Sequence, residues 1–262
     1  MMSNQQVDGQ SGLQAGHEDG EVELEKERQV NQHVEVPRKK KRRRGCKSGK
    51  GGKSKNFQKV FISVTGSSHA NFNHYFPQLL RAKLSNDIRF ECPANGWFYC
   101  RGGRKLLEID LEEITSFLEQ ISPFPNLQIF VIGGNDLRNS VSPELVVDHF
   151  REIVQSCLNI QRLQILICGI IPSPPNENTA NPEKYLKAQF VECNQFLREL
   201  ELEFPEKVTF LDVAKPLTDE HGNIRMEFYE QKYQSDVHLS KRGCQILVDL
   251  LYRKMCGGIG KF

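Results

Sequence analysis

The sequence predicts an α/β fold, with a mostly parallel, flavodoxin-like sheet of five strands between two layers of helices. Three short runs of apolar and β-branched residues, at 59–65, 127–132 and 163–171, indicate strands that are buried on both faces. Segments with the helical spacing of apolar residues lie between these runs. Strands that alternate with helices are typical of a parallel sheet, and right-handed crossovers then give a three-layer α/β/α sandwich.

Local patterns predict where the individual elements begin and end. Ser142 followed by Pro143 is a typical helix start, with serine as the cap and proline in the first turn. Pro172 stops the third strong strand, because proline cannot donate to a strand ladder. Strands are predicted over 59–65, 88–92, 127–132, 163–171 and 208–212, and helices over 72–84, 106–121, 142–158, 182–203 and 240–255.

Residues 1–56 differ in composition from the rest of the chain. They are rich in Gln, Asn, Gly, Ser and charged residues and have almost no large apolar side chains. Such a segment cannot bury enough apolar surface to offset the entropy lost on ordering, so we predict a disordered tail. Residues 57–262 are enough for one well-buried core, and we predict a single domain there.

The charge of the chain divides at the same boundary. Residues 1–56 hold 13 of the 35 Lys and Arg and 8 of the 33 Asp and Glu, which leaves 22 cations and 25 anions in the remainder. Within the tail an acidic block spans 18–27, and seven consecutive cations occupy 38–44. Residues 38–55 therefore suit nucleic acid phosphates or a nuclear import receptor, and a solubilising linker is the third alternative.

The cysteines and the apolar segments bear on the compartment of the protein. Eight Cys are scattered without a close C-x-x-C pair, and Cys168 lies in a run predicted to be a buried strand. No apolar segment behind Met1 could serve as a secretory signal, and the longest apolar runs are too short to span a membrane. We therefore expect an intracellular protein, cytoplasmic or nuclear, with reduced thiols and no zinc site.

Four segments rich in glycine and polar residues follow predicted strands or precede the last helix. In parallel sheets, functional groups collect in the loops beyond the carboxyl ends of the strands. We therefore expect these segments to lie close together. They are GSSH at 66–69, CRGGR at 100–104, GGND at 133–136 and SDVHLS at 235–240.

In this order and spacing, the segments resemble the four blocks of the SGNH (GDSL-type) hydrolase family. In that family a serine follows the first strand, a glycine the second and a G-x-N-D sequence the third, and a histidine lies near the C-terminus. The most specific match is FVIGGNDL at 130–137, supported by VHLS at 237–240, and the resemblance covers roughly residues 58–255. Domains of this type also occur in retrotransposon-encoded and related invertebrate proteins, joined to nucleic-acid-binding segments.

The resemblance implies a hydrolase that cleaves a small carboxylic or acetyl ester through an acyl-enzyme, without a metal or organic cofactor. Ser68 would be the nucleophile and His238 the general base, since a serine hydroxyl attacks poorly until a base takes its proton. Arg101, Arg104 and Arg138 lie near these segments in the sequence. They could attract an anionic substrate or be solvated surface residues.

The resemblance also implies an oxyanion hole of three N–H donors. These are the backbone N–H of Ser68, the backbone N–H of Gly103 and the side-chain amide of Asn135. Gly102 is an alternative to Gly103, because the sequence does not fix the register inside a glycine pair. Gly133 and Asp136 would support the loop that carries Asn135.

Two positions depart from the family pattern. Ser67 stands where the family usually has an aspartate before the nucleophile, and Ser235 stands three residues before His238, where the family places the triad acid. Asp236 could take the role of the acid from a bulged loop, or the enzyme could work as a Ser–His dyad. The alternative to an enzyme is a catalytically degenerate domain of this fold. It would act as a binding or scaffold module, with a basic tail that binds nucleic acid or an import receptor.

Overall fold

The computed structural model describes residues 59–67, 70, 75–91, 98–120, 125–172, 174, 189–230 and 238–258, so the predicted tail lies outside the described residues. The described strands are β1 (Val60–Gly66), β2 (Phe90–Glu91), β3 (Phe98–Cys100), β4 (Asn126–Val131), β5 (Leu163–Cys168) and β6 (Val208–Leu211). The α-helices are α1 (Tyr75–Leu84), α2 (Leu111–Gln120), α3 (Gly134–Arg138), α4 (Pro143–Ser156), α5 (Phe190–Glu203) and α6 (Lys241–Gly258). Short 3-10 helices span Leu106–Glu108, Lys215–Leu217 and Met226–Phe228.

The strands form one parallel sheet. Its order is β2-β1-β4-β5-β6, and β3 also pairs with β1. β2 is paired with the first two residues of β1, and β3 with Val64 to Gly66 at its end. The two short strands therefore share one position of the sheet, and the five positions follow the flavodoxin-like order 2-1-3-4-5. The predicted fold class is confirmed.

Two apolar cores lie on opposite faces of the sheet. Along β5, Leu166 and Cys168 belong to one core, while Ile165 and Ile167 belong to the other, as the alternation of side chains along a strand requires. α1 and α6 cover the first face, and α2, α4 and α5 cover the second. The three layers predicted from the sequence are confirmed.

One difference from the predicted elements has a clear local cause. The helix predicted over 106–121 is broken at Ile109, which is buried in extended conformation, and α2 restarts after Asp110. The Asp110 carboxylate accepts the backbone N–H of Glu113 at 2.9 Å, which is the geometry of a helix cap. The strand predicted over 163–171 ends at Cys168, and the described part of the helix predicted over 182–203 begins at Phe190.

Cys168 is buried, as expected from the sequence, and the described cysteines are free. Its side chain is 1% exposed in β5, and the Cys residues at 100, 157, 168, 193, 244 and 256 are free thiols. Burial raises the pKa of the Cys193 and Cys244 thiols to about 12, so these thiols remain protonated near neutral pH. Among the helices of the described residues, none is long and apolar enough to cross a membrane.

A polar cluster joins the loop before β2 to the last helix, at the end of the sheet opposite the strand-end loops. Arg89 donates through Nε to the Asp87 carboxylate at 2.9 Å, and the Tyr252 hydroxyl donates to the same carboxylate at 2.9 Å. The Asp87 side chain is 9% exposed. The hydrogen bond from the Arg89 guanidinium holds the pKa of Asp87 well below its usual range.

We expect Asp87→Asn to lower the free energy of unfolding at pH 7 by about 1.5–3 kcal/mol, the range for hydrogen bonds to charged groups. Because the pKa of Asp87 is lowered on folding, its contribution is present above the unfolded pKa of about 3.9 and is lost as the pH falls through the folded pKa. The free energy of unfolding, measured with urea between pH 7 and pH 2.5, should therefore fall less in the variant than in the wild type. Glu199→Gln, at an exposed carboxylate of α5, serves as control. If the free energy of unfolding falls equally with pH in Asp87→Asn and in the wild type, the ionised Asp87 carboxylate does not stabilise the fold in this way.

Candidate active site

The described parts of three predicted segments, at 66–69, 100–104 and 133–136, meet where the strand order of the sheet reverses. β1 has β2 and β3 on one side and β4 on the other, so the crevice beyond the ends of β1 and β4 is the topological switch point. Ser67 follows β1, and Gly133 follows β4 at the same edge. Ser68, Ser235 and Asp236 lie outside the described residues, so their predicted roles stay predictions.

The end of β1 is packed closely against β4. A Cβ atom at Gly66 would lie 2.5 Å from Ala70 Cβ and 3.0 Å from the Val131 carbonyl oxygen, so this position has no room for a side chain. The backbone N–H of Ser67 donates to the same Val131 oxygen at 3.1 Å, and Ser67 is 6% exposed. The residue that precedes the predicted nucleophile is therefore held directly against the end of β4.

Gly133 turns the chain from β4 into α3. Its φ of +108° lies in a region that disfavours other residues, and a Cβ there would lie 2.6 Å from Ile170 Cδ1. α3 then carries Asn135, Asp136 and Arg138 at the edge of the crevice. The backbone conformation therefore favours glycine at this position, and the supporting role predicted for Gly133 stays a prediction.

Two hydrogen-bonded contacts connect α3 to the loop after β3. The Asp136 carboxylate accepts the backbone N–H of Leu106 at 2.7 Å and that of Leu107 at 3.2 Å. The Asn135 Nδ2 atom donates to the Arg104 carbonyl oxygen at 3.0 Å. Burial raises the pKa of Asp136, and the two N–H bonds oppose that rise. Asp136 thus holds the loop after β3. The predicted role was support of the loop that carries Asn135.

The loop after β3 contains the two glycines predicted as oxyanion donors. Gly103 has a φ of +74° and open space at its Cβ position, so glycine is favoured there by backbone conformation alone. The backbone N–H of Arg104 donates to the Arg101 carbonyl oxygen at 3.3 Å, which closes a turn around Gly102 and Gly103. Both glycines are exposed.

The segment that carries His238 is held by the chain before it. The Glu230 N–H donates to the His238 carbonyl oxygen at 2.8 Å, and the Ser240 N–H donates to the Phe228 carbonyl oxygen at 2.8 Å. A side chain at Gly243 would clash with that Phe228 oxygen, which explains the glycine near the start of α6. The Tyr229 hydroxyl donates to the Pro172 carbonyl oxygen and so ties this segment to the loop after β5.

A small pocket that is partly open to solvent lies at the crevice. Its lining joins the segment after β1, the segment after β4 and the loop after β5. The lining residues are Ser67, Val131, Ile132, Gly134, Asn135, Arg138, Gly169 and Ile171.

Arg138 is a pocket residue that sequence reasoning left undecided between a substrate contact and a solvated surface position. Its side chain is 8% exposed, so it is not a solvated surface residue. No pattern in the sequence indicates this burial, because arginine is usually exposed. No group of three or more His, Cys, Asp or Glu side chains that could hold a metal ion occurs among the residues that the structure describes.

Comparisons with known proteins agree with the fold described above. The model of the GDSL-like lipase/acylhydrolase family matches residues 60–246. A comparison of the sequence with curated proteins found no match.

Solved structures share the fold at low sequence identity. A carbohydrate esterase family 3 protein from Talaromyces cellulolyticus is 12% identical with a TM-score of 0.58, and the match covers 78% of this chain and 99% of that one. An acetyl esterase mutant with acetate ion is 12% identical with a TM-score of 0.56, covering 77% of this chain and 98% of that one. TesA is 12% identical with a TM-score of 0.54, covering 75% of this chain and 98% of that one.

Proposed function

Because the chain belongs to the GDSL-like lipase/acylhydrolase family, we propose that it is a serine hydrolase that cleaves small carboxylic or acetyl esters through an acyl-enzyme. The observation that carries the proposal is the pair of contacts between α3 and the loop after β3. They join the helix that carries Asn135, which lines the pocket together with Ser67, to the loop that contains Gly103. This supports the assignment of Asn135 and Gly103 as oxyanion donors.

In the proposed mechanism, Ser68 Oγ attacks the ester carbonyl carbon while His238 takes the hydroxyl proton. The N–H groups of Ser68 and Gly103 and the Asn135 amide stabilise the oxyanion of the tetrahedral intermediate. The intermediate collapses to an acyl-enzyme, and the alcohol leaves with the proton from His238. A water molecule, deprotonated by the same imidazole, then attacks the acyl carbon and releases the acid. Asp236 would orient the imidazole and stabilise its cationic form.

The pocket favours a short acyl group. Among the residues that the structure describes, the apolar side chains of the lining are Val131, Ile132 and Ile171, while Ser67, Asn135 and Arg138 supply polar atoms. Small esters are therefore better candidates than long-chain lipids. The acetyl esterase and the carbohydrate esterase among the structural neighbours point to the same class.

Covalent labelling tests the proposal directly. The purified full chain should react with a fluorophosphonate probe, and peptide mapping should find one adduct, on Ser68. It should also hydrolyse p-nitrophenyl acetate faster than p-nitrophenyl esters of long acids. A chain that neither carries the adduct nor turns over the acetate would not be a serine hydrolase, and the degenerate binding module would then be the better reading.

We further propose that residues 38–55 bind nucleic acid phosphates, because seven consecutive cations occupy 38–44. The affinity of the full chain for double-stranded DNA should fall by about 10³ or more between 50 mM and 200 mM salt if six or more phosphates are contacted. Deleting 38–55 should remove this binding, and deleting the acidic block 18–27 should not. No binding at 50 mM salt would contradict the proposal. Loss of nuclear localisation in the 38–55 deletion would then point to an import receptor instead.

A further inference from the structure

Arg138 occupies an unusual place for an arginine. It lies at the end of α3, is 8% exposed and lines the same pocket as Asn135 and Ser67. Arginine is rarely this buried, because removing a guanidinium from water is costly unless its N–H groups are hydrogen-bonded. The placement therefore calls for an account of the contacts that the guanidinium makes.

Its contact with Asn135 determines which way round the amide is held. The Arg138 guanidinium donates through Nη1 to Asn135 Oδ1 at 3.3 Å. Asn135 Nδ2 donates to the Arg104 carbonyl oxygen at 3.0 Å. A guanidinium has only donors, and a carbonyl oxygen only accepts. Turning the amide over would place Nδ2 against the guanidinium and Oδ1 against the carbonyl oxygen. Both ends of the amide therefore favour the same orientation.

This orientation matters for a donor role of Asn135. An amide nitrogen has two N–H bonds, and the Arg104 oxygen accepts only one of them. The other N–H belongs to a side chain that lines the pocket. A cation bonded to the amide oxygen also polarises the amide and makes its N–H groups stronger donors. A reversed amide would present an oxygen to a developing oxyanion and would repel it.

We infer that Arg138 is a positioning residue, which fixes and polarises the Asn135 side-chain amide so that its nitrogen faces the reacting carbonyl oxygen. The inference rests on the proposed hydrolase function for its kinetic consequence, but not for the orientation itself. It also distinguishes Arg138 from a substrate anchor. An anchor would act on KM and independently of Asn135, whereas a positioning residue acts on kcat and only through Asn135.

A double-mutant cycle with p-nitrophenyl acetate measures that dependence. Asn135→Ala should lower kcat by about 10²–10³, the usual effect of removing one oxyanion donor. Arg138→Met should lower kcat by about tenfold with little change in KM. The double variant should be no slower than Asn135→Ala alone. Arg138→Lys should recover part of the loss, and Arg253→Met, at an exposed arginine of α6, serves as the matched control. Losses that multiply in the double variant would overturn the inference.

The side-chain amide signals of Asn135 in ¹⁵N-labelled full-length protein provide a readout without catalysis. The signals are assigned by their disappearance in Asn135→Ala. We expect Arg138→Met to shift or broaden both Asn135 Nδ2 proton signals, and Arg253→Met to leave them in place. Unchanged signals in Arg138→Met, or in Arg138→Leu if the first variant does not fold, would overturn the inference. A protein without Ser68-dependent turnover would refute the hydrolase proposal, while these signals would still decide the role of Arg138.

Discussion

Ser68→Ala is expected to abolish ester hydrolysis, with a fall in kcat of about 10⁶, the effect of removing the nucleophile in a well-studied serine protease. The physical reason is that the acyl-enzyme needs an oxygen nucleophile, and alanine leaves only attack by water. Residual turnover above the uncatalysed rate should remain, because the oxyanion donors stabilise that slower reaction too. The measurement is the initial rate with p-nitrophenyl acetate, together with loss of the fluorophosphonate adduct.

Ser67→Ala is the matched control, because it removes a hydroxyl one residue away on the same segment. Ser67 is buried, and its backbone N–H, which donates to the Val131 carbonyl oxygen, is kept in alanine. We expect this variant to keep its adduct and at least a tenth of the wild-type turnover. Thermal unfolding of both variants separates loss of chemistry from loss of fold. If Ser67→Ala is inactive and Ser68→Ala is active, the nucleophile has been placed one residue too late in the sequence.

The central strands could be predicted because they are buried on both faces. β1, β4 and β5 are near-continuous apolar runs, and Ile62, Ile129 and Ile165 are fully buried in them. The short elements could not be predicted in this way. β3 has only three residues, and its pairing with the end of β1 depends on a tertiary contact. α3 has five residues, too few for a helical pattern to be recognised.

Polar residues inside a strand were the least predictable part of the core. Ser63, Thr65 and Gln128 are fully buried on one face of β1 and β4. The Ser63 hydroxyl donates to Gln128 Oε1 at 2.6 Å, and Gln128 Nε2 donates to Thr65 Oγ1 at 3.0 Å. Each group finds its partner 63 to 65 residues away. The periodicity of the sequence indicates only that these strands are mainly apolar, and it does not identify the partners of their polar side chains.

The same limit applies to the candidate site. Asn135 and Asp136 were located by a four-residue pattern, but the partners of Asp136, the N–H groups of Leu106 and Leu107, lie about 30 residues earlier in the chain. The burial of Arg138 was also beyond a sequence argument, because arginine is usually exposed. Local sequence therefore identified the groups that would carry the chemistry. Their mutual support depends on which loops the sheet brings together.

His238→Ala should lower kcat by about 10⁴–10⁶, since the nucleophile would lose the base that takes its proton. The variant should fold, because the segment is held through backbone contacts that alanine keeps. Glu230 N–H donates to the carbonyl oxygen of His238, and Tyr229 pairs with Leu239 as an isolated antiparallel bridge. His221→Ala, at an exposed turn histidine, is the control and should leave kcat unchanged.

The acid partner of His238 is decided by the same assay. If Asp236 holds the imidazole, Asp236→Asn should lower kcat by about 10⁴, because an amide stabilises the wrong imidazole tautomer and leaves the cation uncompensated. A dyad would keep kcat within about tenfold of wild type. The double change Ser235→Asp with Asp236→Ser moves the carboxylate to the position usual in the family. If this double variant turns over substrate faster than Asp236→Asn, the segment before His238 accepts an acid either two or three residues before the base. Loss of turnover would mean that it is shaped around an acid two residues before the base, and that the departure from the family pattern is a working alternative.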